Sequence, residues 1–255
     1  MALAMDQSGS HKATHCRYWG VVSTHPANLP PPHVAEYPTL FDFVTQQVQA
    51  PQFWGRYIAG KAQSNLLTDN EASFLSSRGC RILLIHYGIQ PCGNHQQGQA
   101  DASSAVTAAQ ALHIPPGVTL YGDIETRVFA HPDWLLGWWE TMIASPYANS
   151  GGFYCNTSPG NALYFNNPYC AAITSPSNQN QDGTLRFNPP LFTSYPRPGC
   201  AFDGSSYNAA SPDCVPNSAV IWQYAEKCPP SFDLYDMDLA NDAGYATMWS
   251  GTMSQ

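Results

Sequence analysis

Two carboxylates one residue apart close a short β-favouring run, Val118–Glu125, reading VTLYGDIE. Side chains on a strand alternate between faces, so Asp123 and Glu125 share a face and Ile124 points away. Their Cα atoms are then roughly 6.5–7 Å apart. Paired acids at that range suit proton transfer. Like charges disfavour each other's ionisation, so one carboxyl keeps its proton while its neighbour stays ionised. The C-terminal end of a barrel strand is where α/β barrels carry such groups. The plainer reading of the same two residues is a solvated loop start, or an Asp capping the next helix.

The elements that must position this pair follow from periodicity. Arg17–Thr24, Phe53–Gly60, Arg81–Gly88, Val118–Glu125, Ser150–Asn156, Leu191–Pro196, Ala219–Ala225 and Phe232–Leu239 read as eight strands. Arg81–Gly88 (RILLIHYG) is continuously apolar, as a parallel strand covered on both faces requires. Helical spacing marks Leu40–Val48, Gln99–Leu112 and Asp133–Ser145. A further helix opens at Thr68, with Glu71 completing a capping box, and stops at Gly79. Residues 159–173 read as a broken helix, and residues 243–255 as a last helix or a fraying tail. The three Trp of Asp133–Ser145 are expected to pack on the sheet rather than bind sugar.

Strand–helix alternation over about 250 residues predicts an α/β fold, a (β/α)8 TIM-type barrel. It is irregular where the loop before the seventh strand is long and the eighth strand is short and acidic. The barrel would be one domain, residues 17–255, behind a flexible tail of residues 1–16. An open doubly wound sheet is the alternative, but no GxGxxG, P-loop or GxSxG motif occurs.

Composition narrows the partners. Charged residues are only 11% of the chain, the net charge is −8, and the 10 Lys and Arg do not cluster, so nucleic acid is not an expected partner. A surface so poor in charge suits an exported protein or one handling neutral polar ligands. No apolar run reaches about 18 residues, so no membrane span is expected. The 8 Cys form no CxxC, and an even, scattered set leans toward disulfides in an oxidising compartment. Cys200 with Cys214 is the pair the sequence picks out, both lying in one loop rich in Pro, Gly and Ser; several buried thiols in a reduced protein is the other reading. Secretion or export is expected, although the N-terminus MALAMDQSGSHKATH shows no signal-peptide core. His86, His95, His113 and His131 fall on separate elements, and His11, His15 and Cys16 on the tail, so no metal or other cofactor is expected.

The order YIAG, ILLIHYGIQ, QADASSAVTAAQALHIP, LYGDIE resembles the glycoside-hydrolase-like family known as domain of unknown function 1906. That family is similar in turn to the family 25 glycoside hydrolases, the barrel lysozymes. IWQY at Ile221–Tyr224 and YDMDLAND at Tyr235–Asp242 agree with the ending of those barrels. The likeness spans residues 18–242. It implies cleavage of a cell-wall glycan of the peptidoglycan type, with Glu125 as general acid and Asp123 and Asp238 as the further carboxylates. It places Tyr57, Tyr87, Gln90, Tyr154 and Gln223 along a substrate cleft. The lysozymes carry an Asp at the end of the first strand; here GVVSTHP offers Ser23, Thr24 or His25 instead. That departure keeps open a catalytically inactive glycan-binding barrel, or a scaffold for a protein partner.

Overall fold

Eight strands close into one barrel in the order β1 to β8. They are β1 (Tyr18–Val22), β2 (Phe53–Gly60), β3 (Arg81–Tyr87), β4 (Leu120–Ile124), β5 (Gly151–Cys155), β6 (Leu191–Ser194), β7 (Ala219–Ala225) and β8 (Asp236–Ala240). The structure, a computed structural model, describes residues 17–34, 36–60, 65–87, 91–124, 128–147, 151–180, 185–186, 188–196, 207–216, 218–227, 229 and 233–251. The helices are α1 (Leu40–Gln47), α2 (Asp69–Ser77), α3 (His95–Ala111), α4 (Pro132–Ile143), α5 (Asn166–Thr174) and α6 (Asp242–Ala246).

The α/β barrel expected from the sequence is present, with one correction to its symmetry. Strands β1 to β7 pair in parallel, but β8 runs antiparallel to both β7 and β1. The last three strands have no α-helix between them among the described residues. The physical reason is chain length. Residues 226–235 are all that separate β7 from β8. A parallel crossover takes a dozen or more residues, so so short a connection returns as a hairpin. The start of β8 therefore lies at the barrel end where its neighbours finish.

Alternation along each strand sorts the core into two layers. Val22, Phe53, Leu83, Ile85, Tyr121, Phe192 and Ile221 fill the barrel interior. Their outward neighbours Trp54, Ile82, Leu84, Leu120 and Trp222 pack beneath the helices. Room for the interior rings comes from glycine. A Cβ on Gly20 would lie 2.5 Å from the Phe53 ring, and one on Gly152 would lie 2.6 Å from the Tyr121 ring.

Local signals account for most helix ends. The Thr68 side chain accepts from the Glu71 amide, and Gly79 (φ 69°) ends the turn after α2. The Glu71 carboxylate does not complete the capping box; it reaches Arg56 at 2.8 Å. Helix α3 begins at His95 rather than Gln99, because Asn94 caps it by accepting from the Gln97 amide. It then crosses α4 at a pair of glycines. A Cβ on Gly98 would sit 2.1 Å from the Trp134 carbonyl, and one on Gly137 2.1 Å from the His95 carbonyl. Trp134, Trp138 and Trp139 of α4 are all buried, the first two against Phe153 of β5.

The disulfide expectation needs correcting. Cys214 bonds Cys170 of α5, tying the loop before β7 to a helix instead of stapling the loop to itself. Cys200 lies outside the described residues. Sequence proximity favoured that pairing; the fold brings α5 to Cys214. Cys80 and Cys155 are buried free thiols, and Cys92 is buried.

Candidate active site

A polar cleft opens at the end of the barrel where β1 to β7 finish. Its larger part, about 240 Å³, is lined by Tyr154, Asn156, Ser194, Glu226, Lys227 and Asp236 among others. A second part of about 130 Å³ is lined by Ser23, Thr24, Tyr57, Asp233 and Tyr235, again with Lys227 and Asp236. The Ser194 hydroxyl donates to Glu226 at 2.6 Å, and the Lys227 amide donates to Asp236 at 3.4 Å. Lys227 takes a left-handed backbone (φ 53°) to do so, a conformation costly for a residue with a Cβ and concentrated at functional sites.

Beneath the cleft lies a buried polar layer. Tyr154, Gln223, Asp123 and Asp238 are all nearly or fully inaccessible. Strand register places Asp123 opposite Tyr154, and Asp238 opposite Gln223 and Gly20. The Tyr154 hydroxyl donates to Gln223 Oε1 at 2.8 Å, and its ring stacks on Phe192 at 4.1 Å. The Gln223 amide nitrogen has no hydrogen-bond partner among the described residues.

This layer favours neutral groups. Burial holds the Asp238 carboxyl well above the usual carboxylate range, and the charges of Asp236 and Glu226 push it further; the Val22 backbone offsets this only in part. Burial likewise raises the Tyr154 hydroxyl, helped by Tyr57, Asp123, Asp236 and Asp238. The barrel thus biases one buried carboxyl toward its neutral form beneath a mouth lined by other acids. Such a split is the electrostatic condition for general acid chemistry.

The sequence candidates divide by depth. Tyr57 and Tyr154 line the open cleft. Tyr87 packs edge-on to Tyr57 at 4.7 Å. Asp123, Gln223 and Asp238 sit below. Glu125 and Gln90 lie outside the described residues.

The profile of the Rv2525c-like glycoside hydrolase-like domain matches residues 49–189. The chain belongs to that family. Among solved structures it is similar to an uncharacterised B. stearothermophilus protein, with 26% identity and a TM-score of 0.72 over 91% of this chain and 100% of that one. It shares its fold with the Tat-secreted protein Rv2525c of Mycobacterium tuberculosis, with 13% identity and a TM-score of 0.53 over 87% of this chain and 94% of that one. It shares it also with a muramidase of Acremonium alcalophilum, with 13% identity and a TM-score of 0.51 over 90% of this chain and 98% of that one. No curated protein matches the sequence.

In this glycoside hydrolase-like barrel, sequence reasoning passed over Glu226, Lys227 and Asp236. The signal for Asp236 was available in the short β7–β8 connection, which reverses β8 and brings its first residue to the mouth. The family resemblance points instead to the later acid, Asp238. Three of the described histidines serve structure. His95 pairs with Glu140 at 2.8 Å, His131 caps α4, and His86 is buried edge-on to Trp138. Among the described residues no group of three metal-ligating side chains converges, and no helix is long and apolar enough to cross a membrane.

Proposed function

We propose that this protein cleaves glycosidic bonds of a cell-wall glycan of the peptidoglycan type, with Glu125 as general acid. Glu125 gives its proton to the glycosidic oxygen, and the bond from that oxygen to the sugar carbon breaks. Positive charge develops at the sugar, where ionised carboxylate stabilises it, and water completes the cleavage. Asp123 and Asp238 are the further acids, Asp238 biased toward its neutral form by burial, and Tyr57, Tyr87, Gln90, Tyr154 and Gln223 shape the cleft. The observation that carries this reading is the burial of Asp123 and Asp238 in one interior layer beneath an acid-lined cleft. Membership of the glycoside hydrolase-like family and a fold shared with a muramidase support it.

A glycan-binding barrel without turnover is the second reading, favoured by the end of β1. Ser23 there is buried, and its hydroxyl donates to the Leu234 carbonyl at 2.5 Å, so no carboxylate stands in that position. A scaffold for a protein partner would need a contiguous apolar face over the loops; Leu29 and Leu185 are exposed in separate loops. Export fits the Cys170–Cys214 bond and the Tat-secreted relative. Release of reducing ends from peptidoglycan tests the reading. Turnover by the wild type and none by Glu125→Gln supports the enzyme; glycan binding without turnover in both supports the binding barrel.

A further inference from the structure

The end of β1 lacks an acid, and the antiparallel β8 brings one to the same place. Asp236, the first residue of β8, pairs in register with Val22, the last residue of β1. Asp238 is two residues deeper, opposite Gly20, which is roughly 7 Å along the strand. Among the described residues, only Asp236 and Lys227 line both parts of the cleft. We propose that Asp236 supplies the mouth carboxylate that β1 lacks, and that it faces the positively charged sugar of a bound glycan. The inference rests on the reading of this cleft as a glycan site.

Two further features converge on that residue, and a third marks the buried layer beneath it. Ser23 spends its hydroxyl on the Leu234 carbonyl, clasping the end of β1 to the segment that leads into Asp236. The Lys227 amide donates to Asp236 Oδ1 at 3.4 Å from a left-handed backbone, which ties the carboxylate to the β7–β8 connection at the cleft. Gln223, fully buried beside Asp238 in the sheet register and bonded to Tyr154 of the cleft wall, has an amide nitrogen with no partner among the described residues. Buried polar groups are almost always hydrogen-bonded, so a buried donor left open calls for a partner such as a water, an ion or a group at the site. Asp236 acts by charge alone. No bond to it forms, so the step asks for no co-reactant beyond the water that glycoside cleavage already consumes.

The test separates charge recognition from sugar recognition. Binding of N-acetylglucosamine oligomers, which are neutral, and of the iminosugar analogue of N-acetylglucosamine, protonated at about pH 6, would be measured by calorimetry on the full chain. The wild type is expected to prefer the cation. Asp236→Asn should cut the ratio of iminosugar affinity to neutral-oligomer affinity about tenfold, the scale of one opposite charge at roughly 5 Å in partly screened surroundings. Moving the charge back to β1 in Thr24→Asp/Asp236→Asn should restore the preference, and this also serves if Asp236→Asn alone folds poorly. An unchanged preference in Asp236→Asn, with the neutral sugar still bound, overturns the role of Asp236 and leaves the glycan site standing. Absence of binding by either sugar to the wild type overturns the glycan reading and the Asp236 role together.

Discussion

Glu71→Gln should destabilise the barrel far more than its surface-helix position in the sequence implies. Arg56 points outward from β2 beneath the helices and is fully buried. Its Nε donates to Glu71 Oε1 at 2.8 Å, one Nη to the Ser23 carbonyl at 2.8 Å, and the other to the Asn65 carbonyl at 2.7 Å. The same Glu71 oxygen accepts from the Ala27 amide at 2.7 Å. One ion pair therefore pins α2, β2 and the Pro-rich loop after β1. Glutamine keeps the shape and removes the charge, leaving a guanidinium out of water with neutral acceptors only. Breaking a buried pair from one side costs about 3–5 kcal/mol. At about 2–4 °C per kcal/mol for a chain of this size, the melting temperature should fall by roughly 6–20 °C. Thermal unfolding followed by near-ultraviolet circular dichroism reads this directly. Faster amide exchange at Ser23–Ala27 should accompany the shift. Arg56→Met/Glu71→Met should recover much of the loss, because no unpaired charge stays behind. A loss below about 1 kcal/mol in Glu71→Gln would refute the reasoning.

Three further outcomes are expected. His86 is buried, and its imidazole pKa is lowered to about 4; the unfolded chain then takes up the proton first. Stability should fall as pH drops from about 6.5 to about 4, by at most about 3 kcal/mol, and His86→Gln should flatten that slope in urea titrations; equal slopes contradict it. Cys170 and Cys214 are 44 residues apart, so closing that loop is worth about 4 kcal/mol. Cys170→Ser/Cys214→Ser should melt roughly 8–16 °C lower than the oxidised wild type, and coincident melting curves contradict it. Gly98→Ala would force a methyl to 2.1 Å from the Trp134 carbonyl; prying α3 from α4 should cost about 1–3 kcal/mol or more in denaturant unfolding, and a neutral effect would mean that the crossing tolerates a side chain.

Much of the fold was legible because local rules and tertiary packing agree here. β2 (Phe53–Gly60) and β7 (Ala219–Ala225) have the ends that periodicity assigns, and the Thr68 cap and Gly79 stop bracket α2 as propensity requires. Three features resisted. The direction of β8 depends on connection length, which a strand pattern does not contain. The partner of Cys214 depends on where α5 docks. The start of α3 was obscured because Gly98 reads as a loop residue, whereas it is the contact that lets two helices touch. At the site, Asp123, Asp238, Tyr154 and Gln223 form one buried layer, drawn together by strand alternation. Asp236 stayed hidden because it belongs to the mouth only once β8 is reversed, and Glu226 because it lies one residue past the end of β7.

The most direct test of the proposed chemistry is soluble muropeptide release from purified peptidoglycan, read by mass spectrometry for the wild type and Glu125→Gln side by side. The expected result is fragments with new reducing ends from the wild type and at least a hundredfold fewer from the variant, the scale of a lost general acid. Equal release from both, or none from a wild type that still binds the glycan, would contradict catalysis by Glu125.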